Sequence, residues 1–342
     1  MKMMFQTLAD CQVNLLKKVD EECAMKKPLD IKELLACFTT DIIGSCALYG
    51  KKVFTTTRFQ RLKKTLCVNF PELALYFNIS TQPKDITDFF INVVKNTIDH
   101  REKKNYTRNG FMQLLIDMKN DKQEGGGSDG KSLTLEEVAA QSFVFFLAGF
   151  ETSSTLMTFA LYELARHPDI QVKIRSEVET ALTKDDGKVS YDAIQDMKYM
   201  NQVIDETVRM HPPVPAVNRK CVKDYKEYIT MPSTILSPRN LILIDSATRT
   251  KRRDTLIPIF LFGEGPRICI GIRFGLMQSK VGLSCLLKNY RFTVNRKTQE
   301  PLKMQPDDYI ILSAVEEVWL DVQKIQPDRL FCSQNERTHL CF

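Results

Sequence analysis

The sequence has 342 residues, enough for one large domain or two ordinary ones. Hydrophobic residues make up 43% of it, which excludes an intrinsically disordered chain. The net charge of +6 is spread along the chain, whereas a nucleic-acid-binding protein usually carries a denser basic stripe. None of the ten cysteines forms a CxxC pair, so zinc ribbons and thioredoxin-like sites are not expected and a reducing, cytosol-facing compartment is favoured.

The first half of the chain is predicted to be helical from the spacing of its apolar residues. Neither a signal peptide nor a run of 18 apolar residues is found, so no transmembrane segment is predicted. The expected helices are two within residues 1–50, separated by Pro28, then Asp85–Arg101 and Phe111–Met118.

The longest predicted helix is the proline-free run from Leu135 to Arg166, which would be about 48 Å long. A polar, glycine-rich loop precedes it, and Thr134 with Glu137 has the spacing of a capping box. The centre of this helix, Phe143–Phe150, is apolar on every side. We therefore expect the helix to cross the interior of a large domain.

The second half of the chain adds further helices and a few strands, with no internal repeat. Helices are predicted at Asp169–Leu182, Met197–Met210 and Phe274–Leu287. Strands are predicted at Leu241–Ile244, Ile257–Phe262, Phe292–Val294 and Tyr309–Leu312. The element list predicts one large domain that is mainly α with minor β.

One cysteine, Cys269, has unusual neighbours in the segment FLFGEGPRICIGIRFG at 260–275. Glycines on both sides of it allow the backbone to approach a bound group closely. A helix is predicted to begin near Ile272, and the positive end of its dipole favours a negatively charged thiolate. Loop N–H groups can stabilise a metal-bound thiolate, and Arg267 is suited to a carboxylate partner. The alternative for an isolated cysteine is a chemically inert residue in a glycine-rich turn.

This segment resembles the haem-binding loop of the cytochrome P450 monooxygenases, whose pattern is Phe-x-x-Gly-x-Arg-x-Cys-x-Gly. The five fixed positions are occupied by Phe262, Gly265, Arg267, Cys269 and Gly271. The resemblance implies that Cys269 is the axial thiolate ligand of the haem iron. It also implies that Arg267 pairs with a haem propionate and that Phe262 packs beside the thiolate.

The long predicted helix carries a second motif, AGFETS at 148–153. Ala148 and Thr152 lie one turn apart on the same face. By themselves they are more typical of a helix-packing notch in which Thr152 bonds a carbonyl one turn back. The hexapeptide is similar to the family's oxygen-binding motif, which implies that Gly149 makes room for O2 and that Glu151 and Thr152 relay protons.

A third motif places Glu206 and Arg209 three residues apart on the predicted helix that ends at His211. Such a pair is common on solvated helix faces. It is also similar to the structural ion pair that the family keeps near the proximal side of the haem. Arg219 matches a family arginine that reaches a haem propionate.

The resemblance covers roughly residues 1–325 and leaves 326–342 unmatched. The residues of its motifs are most similar to those of the insect microsomal family six. The resemblance implies a cytochrome P450 fold and a haem-thiolate monooxygenase that inserts one oxygen atom from O2 into a small apolar molecule. The substrate types implied are a xenobiotic, plant toxin, insecticide, or endogenous lipid or hormone. Electrons would come from NADPH through an NADPH–cytochrome reductase, with cytochrome b5 as a further partner. The implied location is the cytosolic face of the endoplasmic reticulum membrane, and the implied role is detoxification.

The sequence also departs from the family pattern. Only 60 positions separate Arg209 from Cys269, fewer than the family usually has, and the family's N-terminal anchor helix and Trp-x-x-x-Arg motif are not found. We therefore expect a partial P450 domain, truncated at its N-terminus and internally deleted before the haem loop. The alternative function is a non-catalytic fragment that cannot hold haem stably. A helical interaction scaffold would leave the glycine-rich loop unexplained.

Overall fold

The structure, a computed structural model, describes residues 2–46, 84–105, 107, 110–120, 132–183, 190–215, 262–263, 265–306 and 311–325. Two features predicted from the sequence lie outside these residues: Arg219 and the strand Leu241–Ile244. Most of the strand predicted at Ile257–Phe262 also lies outside them, as does the unmatched tail at 326–342.

Helices dominate the described residues, and three short strands accompany them. The helices are α1 (Lys2–Ala24), α2 (Ile31–Cys46), α3 (Lys84–Lys104), α4 (Phe111–Asn120), α5 (Leu135–Arg166), α6 (Pro168–Thr183), α7 (Tyr191–Asp196), α8 (Lys198–Met210) and α9 (Ile272–Asn289). The strands β1 (Leu29–Asp30), β2 (Tyr290–Val294) and β3 (Trp319–Lys324) form an antiparallel sheet in the order β1-β3-β2. The prediction of a mainly α fold with minor β is confirmed.

Most predicted elements are found within a few residues of their expected ends. The predicted capping box is present: the backbone N–H of Thr134 donates to the carboxylate of Glu137 at 2.8 Å, and the N–H of Glu137 donates to the Thr134 hydroxyl at 3.2 Å. The strand predicted at Tyr309–Leu312 is wrong where the structure describes it, because the N–H of Leu312 donates to the carbonyl of Pro213 in an irregular segment. The short elements α7, β1 and β3 were not predicted.

The chain divides into two compact units, and the division falls within α1, α2 and α5. The first unit comprises Met1–Thr7 and Thr40–Phe150, and the second comprises Leu8–Thr39 and Glu151–Phe342. In the first unit α3, α4 and the start of α5 bury an apolar cluster. Phe90 of α3 meets Phe143 edge to face at 4.9 Å between ring centroids, and Phe111 stacks on Phe145 at 4.2 Å. Such aromatic pairs add to the free energy gained by burying the ring area.

In the second unit the buried part of α5 is Ser153–Ala165, every residue of which is buried. This corrects the expectation that the apolar centre Phe143–Phe150 is the stretch that crosses the interior, since Val144 and Leu147 are exposed. Within the described part of the chain, α5 is the one helix whose length and composition would suit a membrane span, and half of its most apolar stretch is buried inside the protein. A core helix meets the same criteria.

The helix α9 faces its neighbours in the second unit with two glycines, and its packing is tight at the second of them. A Cβ added to Gly275 would lie 3.6 Å from the hydroxyl of Ser153 in α5. A Cβ added to Gly282 would lie 2.7 Å from the ring of Phe38 in α2 and 2.8 Å from the sulfur of Met157 in α5. The two glycines are seven residues apart and therefore lie on one face of α9. This face brings α9 close to the helices on which it rests.

We predict that Gly282→Ala lowers the free energy of unfolding by about 1 kcal/mol. Overpacking against the buried Phe38 and Met157 should cost about 1–3 kcal/mol, while alanine in place of glycine in a helix recovers about 1 kcal/mol. The matched control is Gly44→Ala in α2, where an added Cβ meets nothing within 4 Å. The control should gain up to about 1 kcal/mol in urea unfolding. A Gly282→Ala protein as stable as that control would contradict the packing described.

Near the C-terminal end of α5, the carboxylate of Glu163 is buried and joins the end of α8. His211 Nε2 lies 2.8 Å from one oxygen of Glu163, and Arg166 Nη1 donates to the other at 3.2 Å. The ring of His211 stacks on Phe159 of α5 at 4.8 Å. Burial alone would raise the pKa of Glu163, but the hydrogen bond from His211 and the charges of His211 and Arg166 bring the pKa below its ordinary value.

This lowered pKa predicts how stability depends on pH. Because the native pKa of Glu163 is lower than the unfolded one, its contribution is complete above about pH 4.3 and is lost as the pH falls through the native pKa. We therefore expect the wild-type protein to lose more stability between pH 6 and pH 3 than the Glu163→Gln protein does. The exposed Glu179→Gln is the control and should follow the wild type. Equal losses for Glu163→Gln and wild type, measured by thermal unfolding, would be inconsistent with this ion pair.

Candidate functional site

The cysteine loop is a short, hydrogen-bonded turn that leads into α9. Gly265–Arg267 forms one turn of 3₁₀ helix, and the N–H of Ile268 donates to the carbonyl of Gly265 at 3.1 Å. The N–H of Cys269 then donates to the carbonyl of Phe262 at 2.7 Å. These two hydrogen bonds fix the shape of the loop. Cys269 lies three residues before the first residue of α9.

Two glycines of this loop are required by its backbone conformation. Gly263 has φ of +73° and Gly265 has φ of +70°, a region that residues with a Cβ rarely adopt. A Cβ on Gly263 would also lie 3.2 Å from the carbonyl oxygen of Arg267. Gly271 has an ordinary φ of −88° and occupies the position just before α9. The presence of glycine at position 265 of the pattern is therefore explained by the left-handed backbone conformation at that position.

The side chains of the loop suit the group that the sequence implies. Cys269 is exposed, and the flanking Ile268 and Ile270 are 52% and 103% exposed, although both are large and apolar. Arg267 is exposed as well. An accessible thiol, two apolar side chains and a guanidinium are chemically matched to a flat apolar macrocycle with carboxylates and a metal that accepts sulfur ligands. These residues fit a haem.

Another cysteine in the same unit is a poor ligand by comparison. Cys285 lies on the buried side of α9, and burial raises the pKa of its thiol to about 12. A metal ligand must be deprotonated, so this thiol is unsuited to the task. The exposed Cys269 is the better ligand of the two.

The predicted ion pair of α8 is formed within a single helix and is nearly buried. Arg209 Nε donates to one carboxylate oxygen of Glu206 at 2.7 Å, and Nη2 donates to the other at 2.8 Å. The side chains are 12% and 5% exposed, so the pair does not lie on a solvated face. The hydrogen bond with Glu206 raises the pKa of Arg209, in spite of partial burial. The two-point geometry fixes the orientation of the guanidinium.

The residues predicted to handle oxygen and protons lie at the junction of the exposed and buried parts of α5. Ala148 is exposed, whereas Gly149, Glu151 and Thr152 are partly buried. The Cδ1 of Ile43 fills the space beside Gly149, within the first unit. In the second unit Ser153, next to Thr152, packs against Gly275, six residues after Cys269. Within the second unit, the structure therefore brings the start of α9 close to Ser153, the last residue of the motif.

Two residues that interact with side chains in or near these motifs, Lys32 and Glu163, were not predicted from the sequence. The ammonium of Lys32 contacts the carboxylate of Glu151 at 2.8 Å, and the carboxylate of Glu163 binds His211. Glu163 could have been suspected, because a carboxylate in the apolar stretch of α5 needs a partner. Lys32 lies 119 positions from Glu151, and nothing in the local pattern indicates that pairing. Arg219, the second predicted propionate partner, lies outside the described residues.

Comparison with known proteins agrees with this geometry. A family model described as Cytochrome P450 matches residues 1–228 and 248–317. The chain is 36% identical over 370 residues to "Cytochrome P450 6a2" of Drosophila melanogaster, a match that covers 95% of this chain and 72% of the relative. It is 35% identical to "Probable cytochrome P450 6a21" of the same organism, covering 92% of this chain and 69% of the relative. "Cytochrome P450 6a8" is 34% identical over 95% of this chain and 72% of its own length.

The helical fold with a small antiparallel sheet is consistent with a cytochrome P450 monooxygenase. The chain belongs to the cytochrome P450 family, and the relatives named above are P450 6a proteins of an insect. The resemblance carried by the cysteine loop is therefore confirmed at the level of the family. The family model leaves 229–247 unmatched, and this segment lies between Arg209 and Cys269 in the sequence.

We predict that Arg209→Met lowers the free energy of unfolding by about 3–5 kcal/mol. The change would remove both hydrogen bonds that Arg209 gives to the nearly buried carboxylate of Glu206, and breaking a buried ion pair by removing one member is strongly destabilising. The control is Arg296→Met, which replaces an exposed arginine and should change stability by less than about 0.5 kcal/mol. Urea unfolding followed by circular dichroism measures both. A loss below about 1 kcal/mol for Arg209→Met would show that the pair is not structural.

Proposed function

We propose that this chain is a haem-thiolate monooxygenase in which the thiolate of Cys269 would hold the haem iron. The observation that carries the proposal is the loop at 262–271. It holds the one pattern-matched cysteine in an exposed position three residues before α9, between two exposed isoleucines. When bound, the haem supplies the electron-accepting iron at which O2 is activated. The chain supplies the ligand, the charges and the protons.

The residues of the loop divide these tasks. Gly265 gives the turn its left-handed backbone, and the carbonyl of Phe262 anchors the N–H of Cys269. Arg267 is the cation for a haem propionate, and Arg219 is proposed for the second. Gly271 lies next to Cys269 at the start of α9. The buried pair Glu206–Arg209 holds α8 in shape within the same unit.

On α5 we assign the handling of oxygen and protons to Ala148, Gly149, Glu151 and Thr152. Glu151 provides an ionisable group and Thr152 a hydroxyl on successive residues of one helix. A positioned acid of this kind contributes about 10²–10⁴-fold to reactions that need protons. Ala148 and Gly149 are the two small residues of the preceding turn, and the side chain of Ile43 fills the space beside Gly149.

The substrates we propose are small apolar molecules, of the xenobiotic, plant toxin, insecticide or endogenous lipid and hormone types. Electrons come from NADPH through an NADPH–cytochrome reductase, with cytochrome b5 as a second donor. The proposed location is the cytosolic face of the endoplasmic reticulum membrane, with a role in detoxification. Residues 1–325 are proposed to form the P450 domain, followed by a separate tail at 326–342.

A second candidate is a non-catalytic member of the family that cannot hold haem stably. The unmatched residues 229–247 favour it, because they interrupt the part of the chain that leads to the haem loop. Haem content per mole of purified chain separates the two candidates. Near-stoichiometric haem supports the monooxygenase, and a chain that stays haem-free in the presence of excess haemin supports the second candidate.

The ligand assignment predicts a clear result for Cys269→Ser. The reduced wild-type protein with carbon monoxide should show the long-wavelength absorption band of thiolate-ligated haem, and the serine variant should lose it, because a serine hydroxyl is not a thiolate ligand. The matched control is Cys37→Ser, which replaces a partly buried free cysteine of α2 and should keep the band. A Cys269→Ser protein that retains the band would refute the assignment.

A further inference from the structure

Lys32 of α2 forms hydrogen bonds with three residues of α5, one of which is Glu151. Lys32 Nζ donates to the carboxylate of Glu151 at 2.8 Å, to the hydroxyl of Thr155 at 2.7 Å and to the hydroxyl of Ser154 at 3.2 Å. An ammonium has three donors, and here all three have acceptors on a single turn of α5. All four residues belong to the second unit.

The position of Lys32 is fixed by the backbone that precedes it. The carboxylate of Asp30 accepts the N–H groups of Lys32 and Glu33 at 3.0 and 3.2 Å, which caps the start of α2. The N–H of Ile31 donates to the carbonyl of Val318 at 3.0 Å, and Asp30 is paired with Trp319 in the sheet. Lys32 is thus held at the first turn of a capped helix that is itself attached to β3.

Stability alone is a weak reason for this arrangement. The side chains of Lys32 and Glu151 are 33% and 28% exposed, and ion pairs with this degree of solvent contact contribute little to stability. The geometry is nevertheless specific, because Ser154 and Thr155 are buried and accept from the same ammonium. The carboxylate of Glu151 is therefore held at a defined position on α5 and is partly exposed to solvent.

We propose that Lys32 is the positioning residue for Glu151: it holds the carboxylate in the orientation from which it serves the proton-handling site on α5. The inference rests on the proposed function of Glu151. Without the ammonium, the carboxylate loses its fixed partner and can turn towards solvent, while Ser154 and Thr155 lose a shared donor. Lys32 acts through Glu151 and is not itself a catalytic residue.

The experiment compares five haem-loaded proteins: wild type, Lys32→Met, Glu151→Gln, the double variant and Lys32→Arg. Carbon monoxide is the probe, and the infrared stretching frequency of its ferrous complex reports polar groups near the bound ligand. The second readout is the ratio of hydrogen peroxide released to product formed per NADPH consumed. The matched control is Lys173→Met, which replaces an exposed lysine of α6.

We expect Lys32→Met to shift the carbon monoxide frequency in the same direction as Glu151→Gln and to raise the ratio of peroxide to product about tenfold, a fraction of the full effect of a general acid. The double variant should be no worse than Glu151→Gln, because the two residues act as one unit. Lys32→Arg keeps the charge and should recover most of the wild-type behaviour. Lys173→Met should match the wild type in both readouts.

Three results would overturn the inference. Lys32→Met with the wild-type frequency and peroxide ratio, changed only in its unfolding midpoint, would make Lys32 a structural residue. Effects of Lys32→Met and Glu151→Gln that add in the double variant would separate the two residues. A wild-type protein without the thiolate-type carbon monoxide band would contradict the proposed function itself, and the inference would fall with it.

Discussion

The close contact of α9 with α5 and α2 is the constraint on which the second unit depends. It requires glycine at position 282, where a Cβ would overlap Phe38 and Met157, and at Gly275 an added Cβ would be in ordinary van der Waals contact. Because protein interiors are packed as densely as organic crystals, such a contact leaves α9, α5 and α2 little freedom to move relative to one another. The cysteine loop is the N-terminal extension of α9, and the oxygen and proton motif lies on α5. This contact positions α9 and the part of α5 that begins at Glu151, both of which belong to the second unit.

Three carboxylates on α5 and α8, those of Glu206, Glu163 and Glu151, each have a basic partner, and the pairs differ in how far they can be predicted from sequence. Glu206 and Arg209 are three residues apart on one helix, so the spacing predicted their contact, and the structure adds that the pair is nearly buried. Glu163 binds His211 across 48 positions, and Lys32 binds Glu151 across 119. Long-range partners of this kind depend on tertiary packing, which local periodicity does not contain.

The same distinction applies to the fold. Long amphipathic helices were predicted to within a few residues, because a 3.6-residue period over many turns is a strong signal. The strands β1 and β3 were missed because they are short and depend on pairing with segments that are distant in the sequence. Leu29 of β1 pairs with Leu320 of β3, and β3 pairs with β2 along its length. Tyr290 of β2 donates to Asp20 of α1, which adds a contact between chain segments 270 positions apart. The cysteine loop was recognisable from its fixed pattern of residues, in which Gly265 is required by a left-handed backbone conformation.

The central claim is that the sulfur of Cys269 is bonded to the iron of a haem held by this chain. X-ray absorption at the iron edge of the haem-loaded wild-type protein tests it directly, because the fine structure identifies the atoms bonded to the iron. The account predicts one sulfur neighbour together with the nitrogens of the porphyrin, and loss of that sulfur when Cys269 is replaced by serine. An iron with nitrogen and oxygen neighbours alone in the wild-type protein would contradict it.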